Sequence, residues 1–242
     1  MADEPCPELG GLTPIEAADT PALDELACRG RNGLLATVPP GFAPGSEIAH
    51  LSLLGYNLPD VFEGRGTLEA ASMGIDIAPD EMAMRCNLIC IAPDGTIKNH
   101  SAGHISSEEA SELITTLNET LGDGRTEFFP GVSYRHLLKV KNGDKRIIST
   151  PPHDVPGQPA SEKMVCAETE EARETADYIN DLILKSQKVL ANHPVNLKRI
   201  AEGKDPANSI WPWSPGYKPA MKTMRELFGV KKGVVISAVD LI

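Results

Sequence analysis

The order of strand and helix patterns between residues 77 and 192 restricts the fold of this chain more than any other feature. A buried-type strand pattern at residues 84–91 is followed by a turn and by a helix that begins at Ser106. A second strand pattern covers residues 134–140, and a long helix pattern covers residues 168–191. This order favours a compact α+β unit with one largely antiparallel sheet.

A tight hairpin is predicted directly after the second strand pattern. Asn142-Gly143 is a strong signal for a two-residue turn. We therefore expect residues 145–149 to return antiparallel to the strand at residues 134–140.

The segments on either side of this unit have the pattern of an α/β core. Prolines and capping residues predict helices that begin at Thr13 and Thr20. Apolar runs predict buried strands at residues 33–38 and 233–239, the second of them after a helix over about residues 219–228. No strand pattern precedes the first helix, and the chain stops just after the last strand. Both ends are therefore expected to be cut from a larger parallel sheet.

These patterns predict an α/β protein with a partial core and an inserted α+β domain. The core would consist of a mostly parallel sheet with flanking helices. Residues 1–76 would form its first part, residues 77–192 the inserted domain, and residues 193–242 the truncated second part. A naturally small sheet with unusual edges is the alternative.

Composition and charge exclude several classes of function. A net charge of −11 argues against a nucleic-acid-binding surface but permits a local basic pocket for a small acidic substrate. The five cysteines have no metal-type spacing and suit reduced thiols in a cytoplasm. No apolar run reaches membrane length, and no signal-peptide pattern begins the chain. We expect a cytoplasmic protein without a membrane partner, and its oligomeric state stays open.

A serine lies at the predicted start of a helix, in the segment Pro44-Gly45-Ser46-Glu47. Free backbone N–H groups and the positive end of the helix dipole favour an anion such as phosphate at this position. The commoner interpretation of such a serine is an N-cap residue. The alternative, a nucleophile, depends on what the rest of the chain provides.

Polar side chains suited to an anionic substrate are concentrated in four short segments of the inserted unit. They are Arg85 and Asn87, His100 and Ser101, Arg135 and His136, and His153 and Asp154. Arginine and histidine donors suit a carboxylate or a phosphate, and an aspartate beside a histidine can hold a hydroxyl or move its proton. Each residue alone also has an ordinary structural interpretation, such as a loop cap or a turn. The histidine spacings are not typical of a metal site.

Short segments along the whole chain resemble one enzyme family in the same order. They include Thr20-Pro21-Ala22-Leu23-Asp24-Glu25-Leu26-Ala27, Pro44-Gly45-Ser46-Glu47, Glu63-Gly64-Arg65-Gly66, Arg85-Cys86-Asn87-Leu88, His100-Ser101-Ala102-Gly103, Tyr134-Arg135-His136, Pro151-Pro152-His153-Asp154 and Trp211-Pro212-Trp213. In these segments the chain resembles the cofactor-independent (2,3-bisphosphoglycerate-independent) phosphoglycerate mutases of archaea and many bacteria. That family has an alkaline-phosphatase-like core, so the resemblance implies the same core here.

The resemblance implies a function and a set of residues for it. The family interconverts 3-phosphoglycerate and 2-phosphoglycerate, in glycolysis and gluconeogenesis, through a phosphoserine. Ser46 matches the serine that carries the phosphoryl group and that ligates one of two divalent metal ions, Mn²⁺ or Mg²⁺. A metal would lower the pKa of its hydroxyl. The residues implied for substrate binding are Arg65, Arg85, Asn87, His100, Ser101, Arg135, His136, His153 and Asp154.

The chain also departs from the family pattern. The Asp and His residues that complete the two metal sites have no counterpart in it, so Ser46 is the only matching ligand. We therefore expect poor metal binding and little or no mutase activity from this polypeptide. Two other functions stay open: a related metal-dependent phosphohydrolase or phosphopentomutase, and a non-catalytic protein that binds phosphoglycerate.

Overall fold

The computed structural model describes residues 4–234 of the chain, where five helices precede the first strand. The helices are α1 (Pro14–Ala17), α2 (Pro21–Arg29), α3 (Ser46–Leu53), α4 (Leu58–Val61), α5 (Arg65–Ser72), α6 (Ser107–Leu121), α7 (Arg173–Leu190), α8 (Pro194–Ala201) and α9 (Met224–Phe228). The strands are β1 (Glu81–Ile91), β2 (Ile97–Asn99), β3 (Thr126–Phe129), β4 (Arg135–Lys141), β5 (Ile147–Ile148), β6 (Cys166–Ala167) and β7 (Ser209–Gly216). None of the helices within residues 4–234 combines the length and the apolar character that a membrane crossing needs.

β1 is the central strand of a five-stranded antiparallel sheet. β4 pairs with it over residues 81–87, β7 over residues 83–89 and β2 near its end, while β3 pairs with β4. β5 and β6 form a separate two-stranded sheet. The mixed α/β class is confirmed. The mostly parallel sheet is not found, because every pairing between strands of residues 4–234 is antiparallel.

The two faces of β1 have different neighbours. Its even-numbered residues, from Met82 to Leu88, pack against the buried faces of α6 and α7 in the main core. Because side chains alternate along a strand, Arg85 and Asn87 lie on the opposite face. There they lie between an apolar cluster that includes residues of α5 and another around the two tryptophans of β7. Buried polar groups in such a position need partners.

The two long helices are confirmed. The hydroxyl of Ser106 accepts a hydrogen bond from the N–H of Glu109 at 3.2 Å and caps α6. α7 has the predicted buried face, which includes Ala176, Ile179 and Ile183. Its α-helical part begins at Arg173, later than predicted, because a short 3-10 helix precedes it.

Three other predicted elements differ from the structure. Residues 33–38 form no strand and are largely exposed, since none of the strands in residues 4–234 lies beside them to supply hydrogen bonds. β5 pairs with β6 and not with β4, because β4 already lies between β1 and β3 and has no free edge. The helix predicted over residues 219–228 is only α9, whose capping box at Thr223 sets a later start. Most of the strand predicted at residues 233–239 lies outside the described residues.

We refer to residues 65–216, which contain α5 and the seven strands, as the sheet unit. Its two ends lie side by side. A Cβ on Gly64 would collide with the carbonyl oxygen of Pro215, and a Cβ on Gly216 with that of Glu63. β7 belongs to the same sheet as β1 although it lies after residue 192. This favours an inserted unit that ends after Gly216, and the three predicted domain ranges stay a prediction.

Candidate functional site

Ser46 is the first residue of α3, and its side chain is exposed. The N-cap is Gly45 in an extended conformation, so the interpretation of Ser46 as the cap is wrong. A Cβ at residue 45 would lie 2.7 Å from Oε1 of Glu47, so the flexible Glu47 side chain would have to move for a larger residue. The Ser46 hydroxyl makes no hydrogen bond within residues 4–234. It is therefore free to act beside the unpaired N–H groups of the first helical turn.

Arg65 connects the start of α3 with the sheet. Its backbone N–H donates to Oγ of Ser214 at 2.8 Å, at the end of β7. Its Nη1 lies 3.8 Å from Oε2 of Glu47, the neighbour of Ser46. Its guanidinium carbon lies 5.5 Å from the ring centre of Trp213. One side chain thus links the serine-bearing helix to β7.

Arg85 lies in the middle of β1 and is 5% exposed. Its Nη1 donates to Oε1 of Glu69 on α5 at 2.8 Å, and its guanidinium carbon lies 5.2 Å from the Trp213 ring centre. Burial lowers the pKa of Arg85 to about 10, and repulsion from Arg65 and Arg135 acts in the same direction while Glu69 opposes it. The guanidinium still carries its charge at neutral pH.

Arg135 adds a third cation to this face. It lies directly opposite Asn87 in the register of β1 and β4, so both side chains are on one side of the sheet. Its side chain has no hydrogen bond and no ion pair within residues 4–234. We refer to Arg65, Arg85 and Arg135 as the arginine cluster. Glu69 and the more distant Glu47 compensate only part of its charge.

Trp213 connects the arginine cluster to the polar residues around it. Its Nε1–H donates to Oδ1 of Asn87 at 3.1 Å, and Nδ2 of Asn87 donates to the carbonyl of His100 at 3.3 Å. The ring of His153 lies 5.4 Å from the Trp213 ring and 6.1 Å from that of His100. Burial, together with the nearby His153 and His104, lowers the pKa of His100, so this imidazole is neutral at pH 7.

His136 lies apart from this group. It is opposite Cys86 in the register, on the face that α6 and α7 cover. Its Nδ1 accepts a hydrogen bond from the N–H of Gly131 at 3.0 Å. Burial lowers the pKa of His136 to about 3, and the charge of Arg85 adds to this effect. Neighbouring strand residues point to opposite faces, so the structure does not bring His136 together with Arg135.

Ser101 and Asp154 have local partners. The buried hydroxyl of Ser101 donates to Oδ1 of Asn99 at 2.8 Å and accepts a weak hydrogen bond from the N–H of His104 at 3.3 Å. Asp154 is exposed, and its Oδ1 lies 3.7 Å from Nε2 of His153. Ser101 therefore stabilises the loop that carries His100, while Asp154 lies beside the imidazole of His153.

Two side chains of this group are absent from the sequence-based prediction. Trp213 belongs only to a segment of the family resemblance, Trp211-Pro212-Trp213, and no sequence motif includes Glu69. Two tryptophans at alternate positions indicate one buried sheet face, which is the signal that could have revealed Trp213. Glu69 follows Arg65 by four residues on α5, so both lie on one helix face.

The residues of this group do not fit the two metal ions that the resemblance implies. Within residues 4–234, no three His, Cys, Asp or Glu side chains are arranged to hold a metal ion. The arginine cluster would also repel a divalent cation. Its chemistry suits an anion instead.

Comparison with known proteins gives the family. A family model described as 2,3-bisphosphoglycerate-independent phosphoglycerate mutase matches residues 27–196, which include Ser46 and the arginine cluster. The chain belongs to this phosphoglycerate mutase family. The phosphoglycerate mutase of Methanosarcina barkeri is 50% identical over 100% of this chain and 59% of the relative's length.

Solved structures agree with this assignment. The cofactor-independent phosphoglycerate mutase of Thermoplasma acidophilum matches with a TM-score of 0.58 and 29% identity, over 93% of this chain and 59% of that one. A Pyrococcus horikoshii protein matches with a TM-score of 0.70 and 27% identity, over 100% of this chain and 55% of that one. The chain thus shares its fold with a solved cofactor-independent phosphoglycerate mutase over the matched residues. It spans 59% of the length of curated relatives such as that of Methanosarcina barkeri.

Proposed function

We propose that this chain provides the substrate-binding surface and the phosphoryl-accepting serine of a phosphoglycerate mutase, which interconverts 3-phosphoglycerate and 2-phosphoglycerate. The family match supports this proposal because it includes both Ser46 and the arginine cluster. The relatives carry the mutase name, and it comes to this chain as a proposal because the chain spans only part of their length.

The excess positive charge of the arginine cluster is the observation that carries the proposal. Phosphoglycerate has a carboxylate and a phosphate, and a guanidinium can bind either group through two hydrogen bonds. Arg135 has no partner within residues 4–234, and Arg65 has only a long contact with Glu47. These two side chains are available to an anion, whereas Glu69 holds Arg85 in place.

The proposed reaction transfers the phosphoryl group in two steps. The Oγ of Ser46 forms a bond to phosphorus, the ester bond to the substrate oxygen breaks, and a proton replaces the phosphoryl group on glycerate. The other hydroxyl of glycerate then attacks the phosphoserine and restores the free serine. Backbone N–H groups at the start of α3 would stabilise the phosphoserine. His153 and Asp154 are proposed to hold the glycerate hydroxyls.

The proposal also includes a divalent metal ion and a cytoplasmic location of the protein. A divalent ion such as Mn²⁺ or Mg²⁺, if bound by Ser46 and by ligands outside residues 4–234, would lower the pKa of the hydroxyl. No step above is assigned to it. All five cysteines are free thiols, which supports a cytoplasmic location.

Calorimetry with 3-phosphoglycerate tests the binding surface. We expect saturable binding by the wild-type chain without added metal, and at least tenfold weaker binding by Arg135→Gln, because charge-assisted hydrogen bonds are lost. Arg173→Gln, in an exposed ion pair on α7, is the matched control and should bind like the wild type. A wild-type chain that does not bind 3-phosphoglycerate contradicts the proposal.

Mass spectrometry after incubation with 3-phosphoglycerate and Mn²⁺ tests the serine. Because little or no mutase activity is expected of this polypeptide, only a small fraction of the protein should carry phosphate on Ser46. That fraction should be found in the wild type and in the control Ser52→Ala, and not in Ser46→Ala. An assay coupled to enolase reports 2-phosphoglycerate, and we expect little or no turnover by this polypeptide. Mass spectrometry and an assay for inorganic phosphate separate the alternatives. Binding without phosphoserine favours a non-catalytic phosphoglycerate-binding protein, and release of inorganic phosphate favours a phosphohydrolase.

A further inference from the structure

Trp213 has more contacts with charged and polar site residues than its place in an apolar strand predicts. The guanidinium carbons of Arg65 and Arg85 lie over its ring at 5.5 and 5.2 Å. His153 packs against it at 5.4 Å, and its N–H donates to Asn87. One buried side chain therefore contacts four residues predicted for substrate binding.

The arginine cluster needs such a contact because its members repel one another. Arg85 has a close carboxylate, whereas Arg65 reaches Glu47 only at 3.8 Å and its Nε is buried without a hydrogen bond within residues 4–234. A second close carboxylate would further reduce the positive charge that an anionic substrate requires. An aromatic ring attracts a cation without neutralising it, and the attraction increases when water is excluded.

Trp211 shows that this role does not follow from burial alone. It lies two residues earlier on the same strand and on the same sheet face, and it is 2% exposed, compared with 5% for Trp213. Its N–H donates to the carbonyl of Thr150. No cationic side chain lies over its ring within residues 4–234. The two tryptophans thus form a matched pair, of which only one contacts the cluster.

We infer that Trp213 is a positioning residue: its ring fixes Arg65 and Arg85 for the substrate anion, and its N–H fixes Asn87. This inference rests on the proposed binding of phosphoglycerate. It adds a residue to the site and explains how like charges are held together without a neutralising carboxylate for each. Trp213 itself need not touch the substrate.

Chemical modification tests the positioning without any substrate. Phenylglyoxal reacts with accessible arginines, and peptide mass spectrometry reports the rate at Arg65. We expect Trp213→Leu to raise this rate severalfold, because Arg65 loses its ring contact. Trp213→Phe keeps a ring and should give an intermediate rate, whereas Trp211→Leu should leave the rate unchanged. Thermal unfolding of each variant sets a temperature at which all are folded.

Calorimetry with 3-phosphoglycerate then tests the consequence for binding. The Kd should rise about tenfold in Trp213→Leu, recover partly in Trp213→Phe and stay unchanged in Trp211→Leu. Equal effects of the two Leu variants on labelling and Kd, or no effect of Trp213→Leu, would overturn the inference. If the wild type does not bind 3-phosphoglycerate, the proposed function fails, and the labelling rates still decide whether Trp213 positions Arg65.

Discussion

At the scale of single residues, His136 has two nitrogens in different situations. Nδ1 accepts a hydrogen bond from Gly131, and Nε2 is buried without a hydrogen bond within residues 4–234. Protonation would place a charge in the main core, near the positive Arg85. The imidazole is thus held neutral in the folded protein.

This environment predicts a loss of stability in acid. The pKa of His136 is about 3 when folded and close to 6.5 when unfolded, so only the unfolded chain takes up a proton between these values. Stability is fully present above pH 6.5 and decreases as the pH falls towards 3. We expect about 2 kcal/mol of loss from this group between pH 6.5 and 4.5. Urea unfolding at both pH values should show this loss reduced in His136→Asn, and an equal loss in both proteins would contradict the assignment.

Ser46 shows how far a single residue can be predicted. The sequence correctly places its hydroxyl at a helix start, but the cap is Gly45. The difference of one residue lies in the backbone, which is extended at Gly45 and helical from Ser46. Sequence patterns do not locate the end of a helix to a single residue.

At the scale of elements, α5 packs on β1 through a glycine. A Cβ on Gly66 would lie 2.5 Å from the carbonyl oxygen of Ala83, closer than real atoms approach. The same helix carries Arg65 and Glu69, so its distance from β1 sets the position of both side chains. The arginine cluster thus depends on a residue that has no side chain.

Gly66→Ala should therefore destabilise the protein. Because backbone atoms cannot move aside as a flexible side chain does, we expect about 2 kcal/mol lower stability in urea unfolding. The gain in helix propensity from alanine is smaller than this cost. Gly124→Ala is the control, since its Cβ would meet no atom within 4 Å, and it should change stability by less than about 0.5 kcal/mol. Equal stability of Gly66→Ala and the wild type would refute the close packing.

Elements with a strong internal pattern are predicted well, and those that depend on a neighbour are not. In β1, α6 and α7 the apolar residues extend over many positions. Their spacing is typical of one kind of element, so the pattern identifies that element without its neighbours. The run at residues 33–38 is equally apolar, yet within residues 4–234 no strand pairs with it. The turn signal at Asn142 is genuine, with a φ of 54°, but the chain then leaves for β6 because β4 has no free edge.

At the scale of the whole molecule, burial is unequal along the chain. α1 and α2 bury no residue, whereas the sheet and α7 contain most of the core. Segments with few buried contacts open at low free energy. Trypsin should therefore cut after Arg29 or Arg31 before it cuts between residues 77 and 216. A time course followed by mass spectrometry checks this, and an early cut inside the sheet unit would show the opposite order.

The candidate site is a property of the whole molecule as well. The sequence identifies most of its charged residues by type, but it cannot predict that Arg65, Arg85 and Arg135 converge. Their meeting depends on the register of β1 with β4 and β7 and on the position of α5. For the same reason the sequence groups His136 with Arg135, although the pleat of β4 separates them.

Gly64 lies against Pro215, and Gly216 lies against Glu63. The polypeptide leaves and rejoins the preceding segment at neighbouring points. The first and the last residues of the sheet unit therefore lie close together. A bridge of a few residues from Glu63 to Tyr217 would therefore be long enough to join the chain on its two sides.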